Sequence, residues 1–223
     1  MKQIPLPIGT PPAPTFDSFV PGANVAALTH VRCVEPGAPP LYLWGLPGSG
    51  KTHLLKALAA QVHDEGTRVA WFDPASPAPW PQDAAAGLIV LDDCDRFDAA
   101  QQQAAFGVFV LAAAQGAAVA AAGSLPPVDL ALRDDLRSRL GWGHVFALQP
   151  LAEPEVRAVL LREADRRGLF LSDEVMAYLL TRFERDLRHL MAQLDRLDRY
   201  ALVTKRAITL PLLRQMLAEE SAA

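Results

Sequence analysis

The chain has 223 residues, of which 51% are hydrophobic, and its 21 Lys and Arg residues against 25 Asp and Glu give a net charge of −4. This length accommodates one full domain and a smaller one, each with its own core. The slight acidic excess argues against an autonomous nucleic-acid-binding protein, which usually carries a basic patch. The first residues lack the apolar stretch of a signal peptide, and Cys33 and Cys94 show no metal-site spacing. We therefore expect a globular protein of the reducing cytoplasm.

The first segment, residues 1–14, contains five prolines and is predicted to be an extended or disordered tail. Strand-like and helical patterns then alternate along the chain. The predicted strands are residues 41–44, 68–73, 88–92, 117–122 and 144–148, and the predicted helices are residues 52–64, 99–114 and roughly 129–140. Such alternation is typical of a doubly wound α/β layer, which binds ligands at the carboxyl ends of its parallel strands.

Residues 99–128 contain no charged side chain, so a membrane span has to be considered. The stretch is dominated by alanine, is interrupted at Gln115-Gly116 and ends at Pro126-Pro127. A buried helix followed by a buried strand explains it better than a span of ~20 strongly apolar residues. We therefore expect this segment to lie in a protein core and expect no membrane association.

Two tryptophans are assigned to packing. Trp80 lies in the proline-rich stretch 74–81, which predicts a surface loop anchored by its indole ring. Trp142 lies between two glycines, and its simplest interpretation is a core aromatic in a tight turn.

After residue 150 the pattern becomes entirely helical. Residues 153–167, 172–182 and 185–203 show helical periodicity, and a final helix begins near Thr209, where Pro211 suits the first turn. No further strand pattern is evident. A small all-helical domain is therefore predicted for residues 150–223.

The strongest motif is Gly45-Leu46-Pro47-Gly48-Ser49-Gly50-Lys51-Thr52, which lies between a predicted strand and a predicted helix. This is the pattern and the context of a phosphate-binding loop. Gly45, Pro47, Gly48, Ser49 and Gly50 would form the cradle, in which backbone N–H groups turn towards an anion at a helix amino terminus. Lys51 would reach the β- and γ-phosphates, and the Thr52 hydroxyl would hold Mg²⁺.

A second acidic motif follows the apolar run 88–91. A strand that ends in two carboxylates places Asp92 where it can hold the shell of the Mg²⁺ ion, and Asp93 where it can orient a water molecule. An apolar strand ending in Asp-Asp is by itself usually a strand and a turn. Its position ~40 residues after the phosphate loop favours the functional interpretation.

Two arginines remain open from the residues alone. Arg139 has the planar, permanently charged fork that suits a γ-phosphate, but a surface arginine in a weak salt bridge is the simpler interpretation. Arg188 borders an apolar helical seam and is equally compatible with a solvated side chain or with one directed at the nucleotide. The seam consists of Leu187, Leu190, Met191, Leu194, Leu197 and Ala201.

From Thr15 to the carboxyl terminus, these motifs together resemble the AAA+ ATPases, and within them the DnaA-related replication proteins. The segment 15–24 looks like the family's adenine-pocket segment, which implies that Val20 contacts the base. Ser138-Arg139-Leu140-Gly141-Trp142-Gly143 closely resembles the arginine-finger box and makes Arg139 the candidate finger. Arg188 matches the sensor-two arginine of the helical lid.

The resemblance implies a P-loop domain at residues 15–149, built as a five-stranded parallel sheet flanked by helices, and a helical lid at 150–223. ADP or ATP with Mg²⁺ is the implied ligand. The chain stops after the lid and lacks the DNA-reading domain of DnaA, which makes it similar to the shorter Hda type. The stretch Gln3-Ile4-Pro5-Leu6-Pro7-Ile8 is similar to the clamp-binding hexapeptide of that type, so Gln3, Ile4, Leu6 and Ile8 would contact the polymerase III sliding clamp, its beta subunit.

The function that this resemblance implies is regulation of replication initiation. Docked on DNA-loaded clamp, the nucleotide-bound chain would present Arg139 to ATP held by DnaA and would contact DNA only indirectly; self-association is left open. There are departures from the family pattern: Ser124 is not followed by the expected acidic residue, and Asp93 replaces a glutamate common in vigorous AAA+ ATPases. We therefore expect slow intrinsic hydrolysis at best. A helicase loader or truncated initiator acting on single-stranded DNA, and an independent P-loop kinase or ATPase, are the alternatives.

Overall fold

The computed structural model describes residues 13–81, 86–182 and 187–221. The described chain divides into two compact units, which meet in sequence between Pro150 and Leu151. The predicted clamp-binding residues, Gln3, Ile4, Leu6 and Ile8, lie outside the described residues.

The unit 13–150 alternates strands and helices as the sequence predicts. Its elements in chain order are α1 (Val25–Arg32), β1 (Leu41–Trp44), α2 (Lys51–Asp64), β2 (Arg68–Phe72), β3 (Ala86–Leu91), α3 (Ala99–Gln115), β4 (Ala118–Gly123), α4 (Asp134–Gly141) and β5 (His144–Ala147). Single 3₁₀ turns lie at Gly22–Asn24, Cys94–Arg96 and Pro127–Asp129.

The five strands form one parallel sheet in the order β2-β3-β4-β1-β5, which confirms the predicted fold class. Side chains alternate between its two faces, as the two-residue period of a strand requires. In β4, Val119 and Ala121 pack in the cluster that contains α3 and α4, whereas Ala118, Ala120 and Ala122 pack in the cluster that contains α1 and α2. Both faces are thus covered, which explains the continuous apolar character of the central strands.

The uncharged stretch is core, as predicted. It forms α3, whose amino terminus has a capping box between Asp98 and Gln101, and then the fully buried β4. Gly116 ends α3 in the left-handed conformation, with φ 69°. Among the described residues, no helix is long and apolar enough to cross a membrane.

One predicted helix is wrong in its bounds, and one helix of the structure was not predicted. The predicted helix at 129–140 is a 3₁₀ turn, Pro127–Asp129, and the shorter helix α4, because the intervening backbone is extended and buries Leu130 and Leu132 in the core. Helix α1, which has only eight residues, was not predicted. The assignment of Trp80 is confirmed: its ring is buried and stacks on Phe72 at 4.3 Å between centroids.

The unit that begins at Leu151 contains α5 (Glu153–Arg166), α6 (Asp173–Arg182), α7 (Leu187–Thr204) and α8 (Leu210–Ser221), with no strand among its described residues. Helix α7 supplies the apolar seam, in which Leu190, Leu194 and Leu197 are completely buried. The predicted helical domain and its core helix are therefore present.

Candidate nucleotide site and the arginine of helix α4

The phosphate-binding loop connects β1 to α2 and is closely approached from two sides. Gly45 and Gly50 have φ angles of 151° and 97°, which side-chain-bearing residues rarely adopt. A β-carbon on Gly45 would collide with the Leu148 carbonyl oxygen, and one on Gly50 would lie 2.6 Å from Cε2 of Phe19. Only glycine fits at these positions, so the loop is held between the end of β5 and the segment that precedes α1.

Ser49 gives the loop an unsatisfied polar atom. Its side chain is 5% exposed, and its Oγ is buried without a hydrogen-bond partner among the described residues. A buried hydroxyl without a partner costs about 1–3 kcal/mol, so native proteins rarely retain one without a reason. A phosphate oxygen bound at the start of α2 would provide the missing acceptor, because helix amino termini attract anions.

Lys51 is folded back on the loop. Its Nζ donates hydrogen bonds to the carbonyl oxygens of Gly45, at 2.7 Å, and Leu46, at 3.1 Å. The Lys51 side chain is buried against the same loop that would surround a phosphate group. Lys51, the residue predicted to contact the β- and γ-phosphates, therefore lies against the phosphate-binding loop.

The two predicted magnesium ligands meet directly. Thr52 Oγ1 donates a hydrogen bond to Asp92 Oδ1 at 3.2 Å, although the residues are separated by 40 positions in sequence. Asp92 also accepts the backbone N–H of Asp93 at 3.1 Å and is 6% exposed. Burial raises the pKa of Asp92, an effect that the hydrogen bond from Thr52 opposes. A hydroxyl and a buried carboxylate are hard oxygen ligands of the kind Mg²⁺ prefers, and the cation would offset the cost of the buried charge.

Asp93 differs from its neighbour. Its backbone is left-handed, with φ 49°, and its half-exposed carboxylate lies 4.0 Å from Arg96. The structure thus separates one buried carboxylate beside Thr52 from one directed to solvent. The different roles predicted for the two carboxylates stay a prediction.

A histidine that the sequence analysis overlooked connects the loop to the segment before α1. His53 Nε2 lies 2.9 Å from the Thr15 carbonyl oxygen and 3.2 Å from Ser18 Oγ, and its ring is 5.5 Å from that of Phe19. Burial lowers the pKa of His53, whereas the Thr15 carbonyl acts in the opposite direction. The half-buried Val20, the predicted adenine contact, follows directly in this segment. The position of His53 immediately after Thr52 was the available clue.

Ser124, which is not followed by the expected acidic residue, contacts a carboxylate from elsewhere in the chain. Ser124 Oγ donates a hydrogen bond of 2.5 Å to Asp95, and the Tyr42 hydroxyl donates one of 2.7 Å to the Leu125 carbonyl. Burial raises the pKa of Tyr42, and Cys94 and Asp95 add to the effect. A carboxylate from the turn Cys94–Arg96 thus lies beside Ser124, although no acidic residue follows Ser124 in sequence.

Helix α4 carries two arginines in different environments. Arg137 is paired with Asp134 at 2.6 Å. Arg139 is half-buried, and in the described part of the chain its guanidinium makes no hydrogen bond or ion pair. Among the described residues, Arg139 thus lacks the salt bridge of the simpler interpretation.

The end of α4 lies near the amino-terminal ends of the parallel strands, whereas the phosphate-binding loop lies at their carboxyl-terminal ends. The His144 N–H donates to the Pro40 carbonyl at 2.8 Å, so β5 begins beside the start of β1. The loop, in contrast, follows the last residue of β1, Trp44, and four residues of a strand span ~13 Å. Arg139 is thus displaced from the chain's own candidate nucleotide site.

The prediction of a buried Trp142 is wrong, because its side chain is 72% exposed. Leu136 and Leu140 fill the buried face of α4, and Trp142, the residue that ends the helix with φ −76° and ψ −26°, lies outside that face. Arg188 lies in the first turn of α7, but its side chain is outside the described part, so its predicted phosphate contact stays a prediction.

Comparison with protein families gives two matches. Residues 12–73 match the bacterial DnaA ATPase domain. Residues 153–217 match the Hda lid domain. The two matches fall on the phosphate-binding unit and on the helical unit respectively.

Several solved structures share the fold. Domain III of the replication initiation protein DnaA from Thermotoga maritima has a TM-score of 0.77 at 23% identity, covering 94% of this chain and 98% of that one. AMPPCP-bound DnaA from Aquifex aeolicus has a TM-score of 0.71 at 21% identity, covering 84% and 66%. The RuvB Holliday junction branch migration motor of Thermotoga maritima has a TM-score of 0.61 at 18% identity, covering 81% and 61%.

Proposed function

Because this chain is an Hda-like, DnaA-related AAA+ protein, we propose that it is a nucleotide-bound regulator that stimulates ATP hydrolysis by the replication initiator DnaA. The observation that carries the proposal is the state of Arg139. This arginine has no partner in the described chain, and it lies at the edge of the sheet opposite the chain's own phosphate-binding loop. A guanidinium so placed suits the nucleotide of another molecule.

The chain's own loop would hold ADP or ATP with Mg²⁺. The loop N–H groups, Ser49 and Lys51 would bind phosphate oxygens, and Thr52 with Asp92 would hold the cation, which neutralises phosphate charge when bound. Val20 and Arg188 would contact the base and the phosphates. Binding of AMPPCP by the similar DnaA of Aquifex aeolicus supports this assignment. Asp93, exposed and shorter than glutamate, would give at most slow hydrolysis at this site.

Arg139 would act on the ATP held by DnaA. A fixed guanidinium stabilises charge that develops on the transferring phosphoryl group, and fingers supplied by a partner accelerate hydrolysis by ~10³–10⁵-fold. Its fork donates two parallel hydrogen bonds, which a lysine cannot reproduce. Docking on DNA-loaded clamp through Gln3, Ile4, Leu6 and Ile8 would concentrate the chain near its target, because a second binding site raises the effective concentration of the first.

The test is a reconstituted mixture of ATP-loaded DnaA, clamp loaded on DNA and this chain, in which conversion of ATP to ADP is followed. Arg139→Ala should remove the stimulation, and Arg139→Lys should restore little of it. Arg137→Ala, which removes the paired arginine of the same helix, is the matched control and should stimulate normally. Equal stimulation by Arg139→Ala and the parent protein would show that the finger assignment is wrong.

Clamp binding is tested separately. Replacing Gln3, Leu6 and Ile8 with alanine should abolish retention by immobilised clamp while leaving the melting temperature unchanged. Retention of the triple variant would make the tail a spacer. Binding of single-stranded DNA in the absence of clamp would instead favour the helicase-loader or truncated-initiator alternative.

A further inference from the structure

An exposed apolar surface adjoins Arg139. Trp142 is 72% exposed and Val128 is 79% exposed. Their chain neighbours lie close together, because a β-carbon built on Gly141 would be 3.4 Å from Cβ of Pro127. The turn Pro127–Asp129 therefore lies beside the end of α4, and each of these two segments exposes one large apolar residue. We call Trp142 and Val128 the α4-end surface.

Single exposed apolar residues are common on protein surfaces, but the exposure of Trp142 calls for an explanation. The sequence predicts Trp142 to be buried, yet the fold fills the interior with Leu136 and Leu140 and leaves the indole in solvent. Departures from local expectation occur mainly at functional sites. Tryptophan is also strongly enriched among the few interface residues that carry most of the binding energy.

Trp142 and Arg139 project from one face of the helix. The Trp142 N–H donates to the Arg139 carbonyl at 3.3 Å, the hydrogen bond between residues three apart that marks a tight last turn. Side chains three residues apart eclipse each other in such a turn and lie ~5–6 Å apart at Cβ. A partner that receives the guanidinium of Arg139 would therefore lie close to the indole of Trp142.

We propose that the α4-end surface is the apolar anchor for the nucleoside triphosphate-loaded P-loop domain on which Arg139 acts. This inference rests on the proposed function, and it assigns different parts of that function to Trp142 and Arg139. Trp142 supplies affinity and fixes the approach of the partner, while Arg139 supplies charge to the phosphates. The occupant follows from charge complementarity, because the cation beside the anchor lacks an anionic partner in the described chain and a triphosphate provides one.

The test is a titration of the chain into ATP-loaded DnaA with clamp-loaded DNA, fitted for the half-saturating concentration and the maximal rate of hydrolysis. Trp142→Ala should raise the half-saturating concentration by at least about tenfold while the maximal rate stays near that of the parent protein. Arg139→Ala should show the reverse pattern. Trp142→Phe should recover part of the affinity. Phe170→Ala, which removes another aromatic side chain that is 82% exposed, is the matched control and should change neither value.

Two further measurements make the outcomes distinguishable. Affinity for ATP-loaded DnaA, measured by interferometry without hydrolysis, should fall at least about tenfold with Trp142→Ala even if the finger assignment fails. An unchanged affinity and half-saturating concentration would overturn the anchor, whatever Arg139 does. Sedimentation of the chain alone tests the other occupant: a dimer dissociated by Trp142→Ala, with unchanged affinity for DnaA, would assign the surface to a second copy and also overturn the proposal.

Discussion

Replacing Asp92 with asparagine is expected to stabilise the nucleotide-free protein and to weaken its affinity for magnesium nucleotide. The carboxylate is 6% exposed, and burial is the largest cause of its raised pKa. Asparagine has nearly the same shape, and its oxygen can still accept the Thr52 hydroxyl and the Asp93 N–H. Single stabilising substitutions commonly contribute about 0.5–2 kcal/mol. A gain of about 1 kcal/mol would raise the melting temperature by ~2–4 °C for a protein of this size.

The difference in stability between the Asp92→Asn variant and the parent protein depends on pH. A raised pKa means that the folded state binds the proton of Asp92 more tightly than the unfolded chain does, so ionisation lowers the free energy of unfolding as pH rises from the ordinary value of 3.8 through the raised value. The destabilisation caused by the ionised, buried carboxylate is complete above this pH range and is present at pH 7. The advantage of the asparagine variant should therefore be largest at neutral pH and should shrink on acidification.

The assay is calorimetry of the nucleotide-free protein between pH 4 and pH 8, followed by titration with ADP in the presence and absence of Mg²⁺. Asp93→Asn is the matched control, because that carboxylate is half-exposed and asparagine tolerates its left-handed backbone. It should leave the melting temperature nearly unchanged. A lower melting temperature for Asp92→Asn at pH 7, or a difference that does not depend on pH, would refute the reasoning.

Two other changes test the same site. Lys51→Ala should weaken binding of ADP and ATP by about 10–150-fold, because a hydrogen bond to a charged group contributes about 1.5–3 kcal/mol, and isothermal titration that finds unchanged affinity would contradict the phosphate assignment. His53→Ala removes the contacts to Thr15 and Ser18, so hydrogen exchange should accelerate in the segment before α1, whereas exchange in His63→Ala should match the parent protein. Because the pKa of His53 is lowered, its neutral form stabilises the fold above the ordinary value of 6.5. Protection factors in this segment, which correct for the slower intrinsic exchange at lower pH, should therefore decrease as pH falls below that value.

Much of the candidate site could be predicted because its pattern is local in sequence. The phosphate-binding loop is eight consecutive residues whose glycines, lysine and hydroxyl each have a separate physical reason. The meeting of Thr52 and Asp92 was also predictable, since both follow parallel strands whose carboxyl ends share one edge of the sheet. The family matches at 12–73 and 153–217 agree with the resemblance on which the predicted fold was based.

The sequence by itself thus determined the alternation of elements, the phosphate-binding loop and the helical unit with its apolar seam. Only the tertiary structure decided which polar groups have partners and which apolar groups are covered. The contact of His53 with Thr15 spans 38 positions, and that of Ser124 with Asp95 spans 29. The exposure of Trp142, and the lack of a partner for Arg139 among the residues that the structure describes, depend on what α4 packs against. Such properties arise from residues brought together by folding, and no periodicity or local spacing in the chain specifies them.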